Sequence, residues 1–352
     1  MAIEMPRGTS GHTANERHDD EDDADTDIDD GSSDTSSVLT EIHSDDIPSY
    51  FEERDERLFL SSFHSHGNYP LPVDAREQER LTWQHRTLHA LIGEHYVGPV
   101  DVVLDTDQDD RRKRVLDLGT GTGCWALDMA QQFPSARFNA IDIVPIQTRH
   151  PPNNVHFEMH DITQGFRWAS GTMDVVHARS IMLAVHDYGG FLSEIARVLR
   201  PGGLFLAGEL EHSVSFERGI PPSNGTQGMD RFFTVVNNVL GERGFVQTGA
   251  HIPEWLHRTR TSDGRPAFTE IHVQQYHVPI GGWRATNERE RKMGRDWRNA
   301  MERYGDSVKP MLLSEASMDA HAVDELVQEY KDDLSMNGMF SVYNAVWAIR
   351  AN

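Results

Sequence analysis

The sequence predicts an α/β protein whose mostly parallel sheet is covered by helices on both faces. Three observations carry that expectation. Short apolar runs alternate with helical patterns from Arg114 onward, glycines stand directly after the first of these runs, and Pro201-Gly202-Gly203 separates a helix from a later run. Such alternation sets consecutive strands side by side and parallel, with each helix crossing over the sheet.

The elements follow in order. Residues 74–89 have helical spacing (Ala75, Leu81, Trp83, Leu88), with Asp74 as the N-cap. Residues 115–118 form a strand that ends at glycine, and 125–133 a helix closed by Pro134. Strands follow at 137–143, carrying Asp142 near its end, at 155–162 and at 173–178; a helix spans 188–199. After the Pro-Gly-Gly turn comes a strand at 204–209, then a helix at 230–242. Residues 268–278 and 339–349 read as the last strands, and 285–335 between them as a helical insertion that caps the sheet.

Composition separates the two ends of the chain. The 352 residues carry 56 acidic and 33 basic side chains, a net charge of −23. Residues 1–46 hold 15 Asp/Glu and two Lys/Arg, so −13 of that charge is local and the remaining 306 residues carry −10. Asp19 to Asp30 contains nine carboxylates in twelve positions and is followed by a Gly/Ser-rich stretch. Too little apolar surface is available there to offset the entropy of ordering, so residues 1–48 are expected to form a disordered acidic tail. A docking tail for a basic partner or a phosphorylation target is the alternative. Residues 49–110 are expected to form an N-terminal helical lid, and 111–352 the main domain.

Cys124 is the single cysteine, which excludes an internal disulfide and a four-cysteine zinc site. No basic segment followed by an apolar run opens the sequence, and no run of about 18 apolar residues occurs. A protein of the cytoplasm or nucleus, not secreted and without membrane or direct nucleic-acid partners, is therefore expected. Arg111-Arg112-Lys113-Arg114 has the composition of a short nuclear-import signal, but also of a solvated strand entry. The pairs His64/His66 and His156/His160 have the residue type of a metal site, but no carboxylate–histidine spacing repeats, and no metal is expected.

The chemistry concentrates at Val115-Leu116-Asp117-Leu118-Gly119-Thr120-Gly121-Thr122-Gly123. Glycines at alternate positions between a strand and a helix let the backbone approach a ligand closely and present amides to it. The same residues satisfy the G-x-G-x-x-A dinucleotide pattern, and Asp142 follows Gly123 by 19 residues, so NAD remains an alternative ligand. Asp117 argues against it, because a pyrophosphate gains nothing from a carboxylate whereas a cationic amino-acid group does.

This loop, the acid of Ile141-Asp142-Ile143, His160-Asp161-Ile162 and Leu199-Arg200-Pro201-Gly202-Gly203 together are similar to class I S-adenosylmethionine-dependent methyltransferases over about residues 70–280. A narrower set resembles fungal regulators of secondary metabolism that work with velvet-domain proteins, and their small-molecule-methylating relatives. It comprises Tyr69-Pro70, Arg80 to His85, Gly-Thr-Gly-x-Trp-Ala, Asp142 to Gln147, His177-Ala178-Arg179-Ser180 and Val278 to Trp283. Cys124 departs from the bulkier aliphatic residue of many relatives. The resemblance implies a Rossmann-like seven-stranded sheet with its last strand antiparallel, and S-adenosyl-L-methionine as cofactor. It also implies transfer of a methyl group to a small-molecule or protein acceptor. A cofactor-binding regulatory partner in a velvet-type complex is the alternative.

Residue by residue, the resemblance implies that Gly119, Thr120, Gly121 and Gly123 wrap the methionine portion and that Asp117 meets its ammonium. Asp142 would accept from both ribose hydroxyls, Ile143 would pack on the adenine, and Asp161 with Ile162 would bond its edge. Trp125 shapes the cavity or packs the first helix. Arg179 holds the cofactor carboxylate or the acceptor, and Tyr69 and His85 belong to the lid. For catalysis, positioning supplies much of the rate of an in-line methyl transfer. His177, Glu209 and His212, together with His186 and Glu211, are the candidate bases because they stand at or after strand ends. No Asn-Pro-Pro-Tyr type sequence follows the fourth strand, so the solution used for amide and adenine nitrogens is not expected.

Overall fold

The computed structural model describes residues 42–43, 45–61, 69–105, 111–221, 225–284 and 286–352. Most of the acidic tail, and His64 and His66, lie outside the described residues. After a short 3-10 turn at Ile47–Tyr50 comes a two-stranded antiparallel hairpin, β1 (Phe51–Arg54) and β2 (Arg57–Leu60), which the sequence pattern does not announce. Helix α1 (Ala75–Ile92) starts at Asp74, whose carboxylate accepts from the amides of Arg76 and Glu77. The same carboxylate pairs with Arg57, which ties the hairpin to the helix cap. The segment expected to be a helical lid is therefore a hairpin plus α1 and the short α2 (Val100–Leu104).

A seven-stranded sheet forms the centre: β3 (Arg114–Leu118), β4 (Arg137–Asp142), β5 (Val155–Met159), β6 (Met173–Arg179), β7 (Leu199–Phe216), β8 (Phe268–Pro279) and β9 (Met339–Arg350). Their spatial order is β5-β4-β3-β6-β7-β9-β8. The first five strands pair in parallel, and β9 runs antiparallel to both β7 and β8. Because β3 lies between β4 and β6, the chain changes winding direction there, and a crevice opens beyond the carboxyl ends of these strands.

Helices α3 (Cys124–Gln132) and α4 (Tyr188–Val198) cross over the sheet, and α6 (Ile252–Arg258) packs near its β8 edge. The central strands are buried on both faces, as their unbroken apolar sequences require. The fifth parallel strand is longer than the expected 204–209. It starts before the Pro-Gly-Gly turn at Leu199, because Leu199 pairs with Met173, and it continues to Phe216 along β9.

Helices α5 (Gln227–Glu242), α7 (Glu288–Glu315) and α8 (Ala320–Leu334) form a second body above the sheet ends. Phe232 stacks on Tyr330 at 4.0 Å, within a core that includes Trp297, Val308 and Leu326. Trp297 donates to Ser341 of β9 at 2.9 Å, and Ser307 of α7 donates to Glu77 of α1 at 2.7 Å. Helical cover and N-terminal segment thus close over the same end of the sheet. None of the described helices is long and apolar enough to cross a membrane.

Candidate active site

The strand ends bring the sequence-predicted residues to one chamber of about 730 Å³. Asp117, Gly119, Thr120, Gly121, Trp125, Asp142, Ile143, Asp161, Ile162, His177 and Arg179 all line it. Gly123 stands just behind, at the start of α3.

The loop requires its glycines. Gly119, Gly121 and Gly123 have φ of 67°, 58° and 80°, a left-handed run that other residues adopt at a cost of about 1–2 kcal/mol each. Space is equally restrictive. A Cβ on Gly123 would lie 2.6 Å from the Phe157 ring, and one on Gly119 2.8 Å from Ile181 Cγ2. The loop is anchored to the next strand by Thr120 N donating to Ile141 O at 2.9 Å.

Asp142, at the end of β4, accepts from the amides of Gly121 (2.7 Å) and Val144 (3.0 Å), one on each oxygen. Each oxygen keeps a second acceptor position for a diol. Burial pushes this carboxyl up to about 6, with Asp117 adding to the effect, so donors supplied by a ligand would favour its ionised form. Gln147 Nε2 donates to the carbonyls of Gly121 (2.6 Å) and Val144 (3.1 Å) and clamps the two loops together.

Asp117 sits deeper than a carboxylate at the mouth of the loop would. It is buried within β3, with Oδ1 2.7 Å from His177 Nδ1 and Oδ2 accepting from Thr120 Oγ1 at 2.6 Å. Burial holds the His177 ring below its usual range despite the carboxylate, which leaves Nδ1–H as the donor. Trp125 stacks on the His177 ring at 3.6 Å and donates its indole N–H to His95 O at 2.7 Å. It thus packs α3 and backs the Asp117–His177 pair. His177 belongs to this pair at the glycine-loop end of the chamber.

Asp161 lies in the loop after β5, as does Ile162. Its Oδ1 accepts from Thr163 N and Oγ1, while Oδ2 is buried without a hydrogen-bond partner. An acceptor buried in this way is costly unless something donates to it. His160, by contrast, is engaged with Gly165 O at 2.6 Å.

Arg179 donates to Nδ1 of His85 at 2.9 Å, and Nε2 of His85 is 2.7 Å from Asp128 Oδ2. Burial and the guanidinium push His85 down to about 4. The imidazole is therefore neutral, with its proton on Nε2 facing Asp128. His85, His95 and Asp128 are the group among the described residues whose ligand atoms come close enough for a metal, within 4.8 Å. His85 Nε2 is committed there as a donor to Asp128, and Arg179 places a positive charge beside it.

A second chamber of about 110 Å³ adjoins the first and shares Tyr69, Leu81, Gln84, Ser180 and Leu183 with it. Two of the three candidate bases line this one. Glu209 is fully buried, its carboxyl pushed up to about 8 by burial. It accepts from Ile181 N at 2.9 Å and from Tyr188 OH at 3.3 Å, which holds the turn after β6 where Ser180 has φ 57°. His212 projects from β7 toward Tyr304 of α7. Of the other two, His186 stacks on Phe245 in the first chamber, and Glu211 accepts from Asn344 at 2.9 Å. Sequence spacing gave no sign of Gln147, of the Arg179–His85 contact, or of Gln84 donating to Ser180 at 2.8 Å. Each joins segments that periodicity treats separately.

A protein-family model described as a methyltransferase domain matches residues 96–305. The chain belongs to the methyltransferase-domain family. Among curated relatives of this methyltransferase-domain chain is a secondary metabolism regulator, laeA, of Coprinopsis cinerea. It is 31% identical over 63% of this chain and 55% of its own length, so the chain spans about half of that relative. Methyltransferase pytC of Aspergillus terreus is 28% identical, covering 73% of this chain and 74% of its own. Among solved structures, phosphoethanolamine N-methyltransferase 2 of Haemonchus contortus with S-adenosyl-L-methionine aligns at TM-score 0.41 and 17% identity, over 76% of this chain and 56% of that one.

The anchored basic run bears on a separate expectation. Arg111 makes a two-point contact with the fully buried Asp174, at 2.6 and 2.9 Å, and Arg200 pairs with the same carboxylate. The run thus begins as a strand anchor, and Lys113 is itself buried.

Proposed function

We propose that this methyltransferase-domain chain is an enzyme that binds S-adenosylmethionine in the larger chamber and transfers its methyl group to an acceptor entering from the smaller one. The observation that carries the reading is the meeting, at the β3–β6 winding change, of three left-handed glycines, a two-oxygen acceptor at Asp142 and the unpartnered Asp161 Oδ2. A nucleoside with an amino-acid tail has complementary groups: a vicinal diol, an exocyclic amine and an ammonium. When bound, the cofactor supplies an electrophilic methyl group on a sulfonium.

The chain's own residues do the rest. Asp142 orients the ribose, Asp161 and Ile162 the adenine, with Ile143 against its face. Gly119, Thr120, Gly121 and Gly123 let the backbone close on the tail. His177 and Thr120 hold Asp117, whose remaining lone pairs receive the ammonium. Arg179, oriented by His85, faces the cofactor carboxylate. Residues 1–48 act as an appended tail, 49–110 as a lid and 111–352 as the methyl-transferring unit, working in the cytoplasm or nucleus.

Calorimetry with S-adenosylmethionine, S-adenosylhomocysteine and NAD tests this directly. Heat from the first two and none from NAD is expected; binding of NAD alone would overturn the reading. A second reading draws on the names of relatives, several of which are secondary metabolism regulators. In it the chain binds cofactor mainly as a partner in a velvet-type complex. Incubation with labelled cofactor and cell extract separates the two. Labelled product supports the enzyme, whereas tight cofactor binding with a recovered protein partner and no product supports the regulator.

A further inference from the structure

Two consecutive residues of α1 grip two consecutive residues at the end of β6. His85 takes Arg179, and Gln84 Nε2 donates to Ser180 Oγ at 2.8 Å. The first contact lies on the cofactor side. The second stands where the two chambers open into each other, since Gln84 and Ser180 line both.

The direction of the second bond is fixed. Arg80 Nη1 donates to Gln84 Oε1 at 3.0 Å, and a guanidinium only donates, so the amide turns its nitrogen to Ser180. The serine oxygen therefore accepts, and its own hydrogen points elsewhere. Among the described residues no acceptor takes that hydrogen, and Ser180 is exposed to the chambers.

Behind Gln84 runs a row of polar side chains. Arg80 donates to Glu77 Oε1 from Nε (2.9 Å) and Nη2 (2.6 Å), and Ser307 of the helical cover donates to Glu77 Oε2 at 2.7 Å. Ser307, Glu77, Arg80 and Gln84 are all buried. Such a row is costly to bury and rigid once its members are matched. Apolar side chains would seat α1 against the cover without that cost. This row ends instead on a hydroxyl open to both chambers.

Ser180 is itself held at φ 57°, a conformation that serine rarely adopts. Its amide donates to Gly208 O at 2.8 Å, and the amide of Ile181 donates to Glu209 Oε1 at 2.9 Å. Backbone strain maintained by its surroundings in this way clusters at ligand sites.

We infer that Ser180 donates its hydroxyl hydrogen to the methyl acceptor at the passage between the chambers, and that Gln84 is the positioning residue that keeps that hydrogen available. This rests on the cofactor reading above. Ser180 takes no proton and forms no covalent bond in the step. It aligns the acceptor with the sulfonium methyl, which is what an in-line transfer most needs. The acceptor therefore presents an oxygen or nitrogen lone pair here besides the one that attacks.

The test uses the full chain. Methyl-labelled S-adenosylmethionine with cell extract gives the rate of label transfer, and calorimetry with S-adenosylhomocysteine gives cofactor affinity. Two variants remove the donor by different routes. Ser180→Gly deletes the hydroxyl and suits φ 57°, so it should melt no lower than the wild type. Gln84→Glu keeps the bond to Arg80 but sets an acceptor where a donor stood, so Ser180 donates to it and is withdrawn from the passage. Each should slow label transfer about tenfold at saturating cofactor, with affinity for S-adenosylhomocysteine within about twofold.

The double variant should be no slower than Ser180→Gly alone, because Gln84 acts through that hydroxyl. Multiplied losses in the double variant would make Gln84 merely structural and overturn its role. Loss of cofactor affinity in Ser180→Gly would put the hydroxyl on the cofactor instead of the acceptor. Unchanged transfer in Ser180→Gly would overturn this inference alone. No label transfer by the wild type would overturn the methyltransferase reading, and this inference with it.

Discussion

The two chambers meet at Ser180 and are built by opposite means. The larger is made from strand ends and the loops that leave them, and its main contacts are backbone: glycine φ values, amides on Asp142, carbonyls on Gln147. The smaller is made from side chains of α1, β7 and α7, brought together across more than 200 residues, as in Arg80 over the Tyr304 ring. A ligand common to many chemistries suits the first kind of construction. An acceptor peculiar to one chain suits the second, because side chains change without disturbing the sheet.

Four variants or conditions press on that contrast, from the largest effect down. Gly123→Val forces a β-branched residue to φ 80° and drives its Cβ into Phe157. Cofactor affinity should fall more than about 100-fold and stability by about 2–4 kcal/mol, read by calorimetry and denaturant melts. An unchanged affinity would show that the loop does not carry the ligand.

Glu209→Gln probes the other chamber through stability. The native carboxyl titrates at about 8, well above the unfolded value of about 4.5, so the folded state holds its proton longer. Wild-type stability should therefore be fully present below about pH 4.5 and decline by several kcal/mol as pH rises through 8. The Gln variant should lack that decline, and cofactor affinity at pH 7 should stay within about twofold.

The pH dependence of the larger chamber runs the other way. Burial places the Asp142 carboxyl at about 6, and ligand hydroxyls favour the ionised form. Affinity for S-adenosylhomocysteine should be level above pH 7 and about tenfold weaker at pH 5. A flat profile with Asp142 intact would contradict its placement against the diol. Smallest is Thr120→Val, which removes the 2.6 Å bond to Asp117 and should weaken cofactor binding about fivefold. Thr120→Val should leave the pH-dependent stability set by Glu209 in the smaller chamber unchanged, and a parallel loss of it would erase the distinction.

The same contrast explains what was legible in the sequence. Residues 115–123 and Asp142 could be placed together because strand, glycine turn and acid stand at short offsets, whereas Asp161 followed only from the family resemblance. The strands from β3 to β6 could be read because burial on both faces leaves continuous apolar runs. Helix α1 was legible from its Asp74 cap. The hairpin β1–β2 was not, since four-residue strands with mixed polarity carry no clear period. Nor was the depth of Asp117, which depends on His177 arriving from β6 with Trp125 stacked behind it. Sequence position already made His212 a candidate base, but its contacts with Asn237 and Tyr304 are tertiary facts.

The central claim is that Asp142 at the end of β4 receives the ribose of S-adenosylmethionine. Calorimetric titration of wild type and Asp142→Ala side by side at pH 7.5 tests it most directly. Loss of two hydrogen bonds to a charged group predicts at least about 100-fold weaker binding in a variant that melts as the wild type does or higher. Equal affinity in the two proteins would contradict the account.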